Sequence, residues 1–351
     1  MHISPFIGHI PDLSKTGFDD SFYQSMRDDF NALFDAGLFK QVALQPAYYL
    51  VEIKNKNNLS TGLVAMTSMQ EYNDQNILKH EQTISKKEKL HKALLTSRKA
   101  MIKPVALLMP HQKTLQQEFE AIKIKSKPIL RIRFPDLTTT QKLWRVDAPV
   151  LIKKITSLFE KKINKVIIAD GHHRFASLAR LQSSKNPASI LSIYFSPDQM
   201  QVSTFYRVVK KRSSQSYEQL IKKLREHTTT WQKTTSIIVE RGCIHLFLKG
   251  ELYRFRLKSS GSQPVHLSFS EQILGPVFEI HKETTSKRIS YVEAPQNETE
   301  RGRILEEHKD EFVFMLPPLT THQILRNKKI LPPKSTLFSP RIMNGLIVAL
   351  T

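Results

Sequence analysis

Val166–Arg180 reads VIIADGHHRFASLAR, and this stretch decides how the rest of the chain is read. Val166, Ile167, Ile168 and Ala169 form an uninterrupted apolar run of the kind a buried strand needs. Asp170-Gly171 is turn chemistry, because glycine reaches backbone conformations that other residues avoid. Phe175, Leu178 and Ala179 then recur at helical spacing, which predicts a helix starting between His172 and Phe175. A helix start presents N–H groups with no intrahelical acceptor and the positive end of the helix dipole, a ready anion site. Gly171 lets the backbone approach a ligand closely, and His172, His173 and Arg174 add side-chain donors. Arginine can hold a phosphate by two parallel hydrogen bonds. Asp170 stands where it can hold a divalent cation or take a proton. A plain tight turn with solvated histidines is the competing reading. Histidine-bound zinc is a third, and it lacks spaced partner ligands.

Outward from this turn, helical and strand patterns are mixed without strict βαβ alternation, so the expected class is α+β. Phe22, Met26, Phe30, Leu33 and Phe34 predict a helix capped by Asp20 or Ser21 and ended by Gly37. Tyr48–Ile53 and Gly62–Met66 predict two strands joined by the polar turn Lys54–Ser60, and Leu90, Leu94 and Leu95 a helix ending before Pro104. Val105–Met109 reads as a short strand. From Ala121 to Phe134 isoleucine alternates with basic residues, which predicts a half-buried strand with a basic outer face. Asp147–Lys162 reads as a helix, Ile190–Phe195 and Val202–Val209 as strands, and Tyr217–Glu226 as a helix. Ser236–Leu257 reads as two strands about a Lys249-Gly250 turn. Phe269–Phe278 is apolar and helical, Phe312–Leu316 a strand, and Gln323–Lys328 a short helix. The softest boundary is the polar stretch Lys258–Gln263, so a core at 1–257 and a C-terminal segment at 258–351 are expected.

The chain has 351 residues, with 40% hydrophobic and 24% charged, enough for a sizeable core. Cys243 is its only cysteine, so no intrachain disulfide forms, which fits a reducing cytoplasm. No basic start followed by an apolar run marks a signal peptide, and no apolar run is long enough to cross a bilayer. The formal net charge is +21, from 53 Lys and Arg against 32 Asp and Glu, which attracts phosphates or nucleic acid. The excess is spread out, and its denser parts, Lys86–Lys92, Lys123–Arg133 and Arg207–Arg225, lack the aromatic interleaving of a single-strand platform. Eleven glycines without a GxGxxG pattern argue against a Rossmann dinucleotide site, and no GxSxG elbow marks a hydrolase.

The segment ADGHHRFASLA resembles the signature of the ParB/sulfiredoxin superfamily, in which a glycine-led turn ending in arginine cradles nucleotide phosphates. More specifically, the chain resembles the bacterial domain-of-unknown-function (DUF) 1015 family through four blocks in order. They are TGLVAMTSMQEYNDQNILKHEQTISKKEK at Thr61–Lys89, ADGHHRFASLA at Ala169–Ala179, HLSFSEQILGPVFEI at His266–Ile280, and LPPKSTLFSPRIMNGL at Leu331–Leu346. The resemblance implies a ParB/sulfiredoxin-like core and a nucleotide or phosphate ligand, and its relatives include free-serine kinases. Two departures stand out. The family's Pro-Pro-Tyr-Asp-Val-like opening has no counterpart in ISPFIGHIPDL, and Ser203-Thr204-Phe205-Tyr206-Arg207 keeps the family's arginine but loses its histidine.

From these blocks the expected activity is phosphoryl transfer to or from a small hydroxyl metabolite such as free serine, with magnesium and ATP or ADP. Gly171, His172, His173 and Arg174 would hold phosphates, helped by Lys334, Ser335 and Thr336. Asp170 would position magnesium or the hydroxyl, and Glu81 would act as general base. His80 and Arg207 are candidate substrate contacts. Two other readings remain: a non-catalytic, nucleotide-responsive DNA-binding or regulatory protein, and a degenerate member that has lost its chemistry. The sequence leaves the oligomeric state open.

Overall fold

The antiparallel hairpin Tyr48–Lys54 and Leu59–Ser68 forms the middle of the larger of two main sheets. The structure is a computed structural model that describes residues 1–16, 20–55, 58–83, 85–134, 139–179, 189–238, 240–258, 263–327 and 329–351. Tyr48, Tyr49, Leu50 and Val51 are all fully buried, as are Leu63, Val64 and Ala65 opposite them, because both faces of this hairpin are covered. Ser189–Phe195 pairs with Leu59–Ser68 on one side and Thr139–Val146 pairs with Tyr48–Lys54 on the other. Beyond Ser189–Phe195 the sheet continues through Val105–Leu108 to Val166–Asp170, the strand that carries the glycine turn. Two of its pairings are parallel, Val166–Asp170 with Ile77–Leu78 and Ser189–Phe195 with Val105–Leu108, and the others antiparallel. Helix Pro149–Lys162 buries Ile155 and Phe159, and the Phe159 ring meets Tyr194 edge-on at 4.9 Å.

The second main sheet has six strands and is antiparallel throughout. Its order is Thr228–Thr234, Glu251–Leu257, Cys243–Leu248, Phe312–Met315, Phe205–Val209, Ile289–Glu293. Helix Tyr217–Glu226, opened by a Ser216–Gln219 capping box, packs Leu220 and Leu224 into a core with Ile244, Leu246, Phe255, Phe312 and Phe314. The chain thus forms two units. One comprises Met1–Lys79, Ser85–Gln201 and Phe338–Thr351, and the other His80–Ile84 and Val202–Leu337. Both mix helices with sheets, giving a mixed α/β fold.

The division expected after Leu257 falls inside the second unit. There Glu251–Leu257 pairs with Cys243–Leu248, which pairs in turn with Phe312–Met315 from beyond that point. Residues 259–262 of the polar stretch that suggested it lie outside the described residues, as do residues 56–57 of the first hairpin turn, Arg180, residue 328 and the side chains of Asp20 and Ser21.

Most predicted elements stand, including helix Asp20–Asp35 and the hairpin at Lys249-Gly250. The strand read from Ala121 to Phe134 is corrected. Lys113–Lys125 is a helix that buries Leu115, Phe119 and Ile122 while Ile124 is 83% exposed, and only Leu130–Phe134 is a strand. The letters IKIK satisfy alternation, but Leu115, Phe119 and Ile122 satisfy the helical period, and packing selects it. Phe269–Phe278 is also less regular than expected. An α-turn, Val265–Phe269, passes into a π-turn, Ser270–Leu274, in which the Gly275 N–H donates to the Ser270 carbonyl five residues back at 3.1 Å. Among the described residues no helix is long and apolar enough to cross a membrane.

Candidate functional site

In the first unit the glycine turn forms as its sequence predicts. Strand Val166–Asp170 ends at Asp170, Gly171 turns the chain at φ +99°, and helix His172–Ala179 follows, with the Phe175 N–H donating to the Gly171 carbonyl at 3.0 Å. A Cβ at position 171 would lie 2.9 Å from Arg174 Nη2 and 3.1 Å from Val105 Cγ2, so conformation and space both demand glycine. The helix is fixed from beneath by Phe175, whose ring meets Tyr72 at 5.0 Å, and by the Ser177 hydroxyl, whose one proton is shared between the His173 carbonyl at 2.6 Å and the Glu88 carbonyl at 2.8 Å.

Arg174 behaves differently from the expectation of a free phosphate clamp. Its Nη2 donates to Asp170 Oδ2 at 2.9 Å, and its Nη1 to the Lys103 and Pro104 carbonyls at 2.6 and 2.7 Å. Three of a guanidinium's five N–H donors are thereby engaged, leaving at most two for a ligand. Asp170 keeps 40% of its side chain exposed against 16% for Arg174. Burial opposes the Asp170 charge, yet Arg174, Lys103, Arg341 and His172 outweigh it and hold this carboxyl well below the usual aspartate range. One carboxylate thus stands among several basic groups beside a helix start, a local field that favours an anion. His172 is buried, whereas His173 is half-buried and its ring centroid lies 6.4 Å from that of His91. Sequence reasoning missed Lys103 and Arg341. Arg341 lies within the fourth block, and Lys103 precedes Pro104 with nothing to mark it.

The second unit gathers the remaining candidates. Glu81 bridges to Leu331, and its carboxylate closes on the loop that follows. Oε1 accepts the Lys334 N–H at 2.8 Å, while Oε2 accepts the Ser335 and Thr336 N–H groups at 2.9 and 3.1 Å and the Thr336 hydroxyl at 3.2 Å. Lys334 has φ +58°, which turns these successive amides toward one point. The loop is therefore an anion cradle whose anion is the chain's own glutamate. Burial pushes the Glu81 carboxyl above the ordinary carboxylate range, against the pull of Lys334 and the loop amides.

The other members of this group are turned inward as well. The His80 ring bonds the Thr336 hydroxyl at 2.8 Å, and Ser335 is fully buried and donates its hydroxyl proton to the Pro332 carbonyl at 2.8 Å. Lys334 Nζ rests 4.5 Å from the centre of the Phe205 ring. Arg207 is fully buried, donates to Ser335 Oγ at 3.3 Å, and faces Glu283 at 3.9 Å. His266, from the third block, is buried beside Thr204, and burial first and Arg207 second hold its pKa well below the ordinary histidine value.

So the structure brings together Glu81, His80, Arg207, Lys334, Ser335 and Thr336 in the second unit, and Asp170, Gly171, His172, His173 and Arg174 in the first. Glu283, the ion-pair partner of Arg207, was not singled out from sequence, because a glutamate in a polar loop carries no periodic signal. Among the described residues no group of three His, Cys, Asp or Glu side chains is gathered to hold a metal ion.

The family described as Protein of unknown function (DUF1015) matches residues 10–332. The chain belongs to this family. A comparison with curated proteins finds no match. Among solved structures, a conserved hypothetical protein from Pyrococcus furiosus is similar at 14% identity and TM-score 0.45, over 82% of this chain and 95% of that one. A free serine kinase in complex with AMP is similar at 14% identity and TM-score 0.43, over 84% and 95% of the two chains. A mutant free serine kinase in complex with ADP is similar at 14% identity and TM-score 0.43, over 83% and 95%.

Proposed function

We propose that this DUF1015 protein binds the phosphates of a nucleotide at the Asp170–Arg174 turn and transfers a phosphoryl group to or from a small hydroxyl metabolite. Free serine is the acceptor that the family resemblance implies, and a ParB/sulfiredoxin-like core is the classification that goes with it. The observation that carries the reading is the glycine turn itself. Gly171 at φ +99° feeds helix His172–Ala179 with Asp170 locked in place by Arg174 and surrounded by basic groups. Helix-start amides and cationic side chains supply what phosphoryl transfer chiefly needs, which is positioning and neutralisation of charge.

Asp170 fits a magnesium site shared with phosphate oxygens, since magnesium in such sites takes one or two carboxylates and completes its shell from phosphates and water. When bound, the ion supplies neutralisation of the phosphate charge. The depressed pKa suits Asp170 to that task and to orienting a hydroxyl, and makes it a weak proton acceptor. Glu81, Lys334, Ser335 and Thr336 are reassigned in this reading. The loop amides already serve Glu81, so these residues hold the second unit's loop in shape rather than carry a proton or a phosphate.

The test is titration of the full chain with ATP, ADP and AMP, with and without magnesium, followed by incubation with serine and each donor. Nucleotide binding that is lost in Gly171→Ala is expected, together with phosphoserine formation. A wild-type protein that binds none of the nucleotides would overturn the reading.

A further inference from the structure

The second unit contains a cavity of about 500 Å³ that plays no part in the proposed phosphate site. It is walled by the π-turn and the turn after it, and widened helical turns of this kind recur at functional sites. Leu267, Pro276, Ile280 and Ile330 give it apolar sides, and Glu271 and Glu283 bring two carboxylates to its lining. Lys282 shares the lining, but its side chain is exposed.

Glu283 is the unusual member, with 7% of its side chain exposed. One oxygen accepts the Ser270 hydroxyl and the other the Tyr291 hydroxyl at 2.8 Å. Arg207 Nε lies 3.9 Å away, close enough for an ion pair and too far for a hydrogen bond. Arg207 Nε and Nη1 have no hydrogen-bond partner among the described residues, although the side chain is fully buried. A carboxylate offers about four acceptor positions, and a buried ion is tolerated when those positions are filled. Two hydroxyls leave that capacity half used, and Glu283 is among the residues that line the cavity. Glu271 adds a second negative group, held by the Gln263 amide at 2.8 Å.

We propose that this cavity binds a small aliphatic ammonium compound. The cationic head donates to Glu283 and Glu271, and the alkyl stem lies against Leu267, Ile280 and Ile330. A neutral alcohol would reach the same walls without a charge-assisted bond to Glu283 or Glu271, and a carboxylate would offer those two acceptors no donor.

The test uses three probes that share a four-carbon stem: n-butylammonium, 1-butanol and butyrate. Binding to the full chain is followed by ligand-observed NMR and calorimetry. n-Butylammonium is expected to bind, 1-butanol about tenfold or more weakly, and butyrate not at all, the difference being that of a charge-assisted hydrogen bond. Ile330 is 45% exposed, so Ile330→Trp can fill the cavity mouth without entering the core. That variant is expected to lose n-butylammonium while keeping the wild-type unfolding temperature. Glu283→Gln keeps an oxygen and an amide beside Ser270 and Tyr291 and is expected to weaken n-butylammonium about tenfold or more. Failure of n-butylammonium to bind the wild type, equal binding of all three probes, or unchanged binding in a folded Ile330→Trp variant would each overturn the proposal.

Discussion

Replacing Glu81 by glutamine separates a residue that holds a loop from one that moves a proton. The Glu81 carboxylate takes three backbone N–H groups and one hydroxyl, at 2.8–3.2 Å. A glutamine placed with its carbonyl oxygen at the Oε2 position keeps the Ser335 and Thr336 donors. Its amide nitrogen then faces the Lys334 N–H, leaving a buried donor against a donor at a cost of about 1–3 kcal/mol. The bonds that remain lose their charge assistance, about another 1 kcal/mol, and relief of the burial penalty on the charge offsets that loss. The total is about 2 kcal/mol, which lowers the unfolding midpoint by about 4–8 °C at the usual 2–4 °C per kcal/mol for a unit of this size class. Thermal unfolding of wild type and Glu81→Gln at neutral pH, followed by calorimetry and circular dichroism, reads this directly. A proton-transferring carboxylate with no structural duty would instead cost less than about 0.5 kcal/mol on substitution. A midpoint shift below about 2 °C would therefore refute the assignment of Glu81 to the loop.

Three further outcomes follow from the same geometry. Gly171→Ala should lose about 2 kcal/mol of stability and most nucleotide affinity, since the new Cβ must adopt φ +99° and meet Arg174 Nη2 at 2.9 Å; wild-type-like unfolding and binding would contradict it. The Asp170 pKa is depressed in the folded chain, so its stabilising share is present above the ordinary aspartate value and is lost as the pH falls toward the depressed one. Asp170→Asn should flatten the acid limb of a stability–pH curve measured by urea unfolding, and an unchanged limb would count against the ion pair with Arg174. Arg207→Met should cost about 3–5 kcal/mol because it strands the buried Glu283, and adding Glu283→Gln should recover much of that loss; purely additive losses in the double variant would show that the two are not coupled.

The strand–glycine–helix turn was legible because everything that makes it is local. An apolar run, Asp-Gly and an i, i+3, i+4 pattern lie within fifteen letters, and each constrains only its immediate neighbours. The helix Lys113–Lys125 was missed for the complementary reason, since alternation within a four-residue window outvoted a helical period that needs eight residues to appear. Glu81 and Lys334 were both singled out, and the structure shows them bonded to one another through the Lys334 N–H. A glutamate after a strand and a lysine with two hydroxyls read as a base and a phosphate grip when each is taken alone. Only their meeting shows that the loop's amides point at the glutamate.

By itself, the sequence determined the mixed helix-and-strand character, the strand–glycine–helix turn at Asp170–Arg174 and, through its ordered blocks, the family. The tertiary structure decided what those side chains face. It spends most of Arg174 on Asp170 and two carbonyls, gives the loop amides to Glu81 from some 250 residues earlier, and sets the buried Arg207 against Glu283. Such pairings are fixed by burial, because a charge or N–H group removed from water must find its partner wherever the fold brings one, and sequence distance carries no information about where that is.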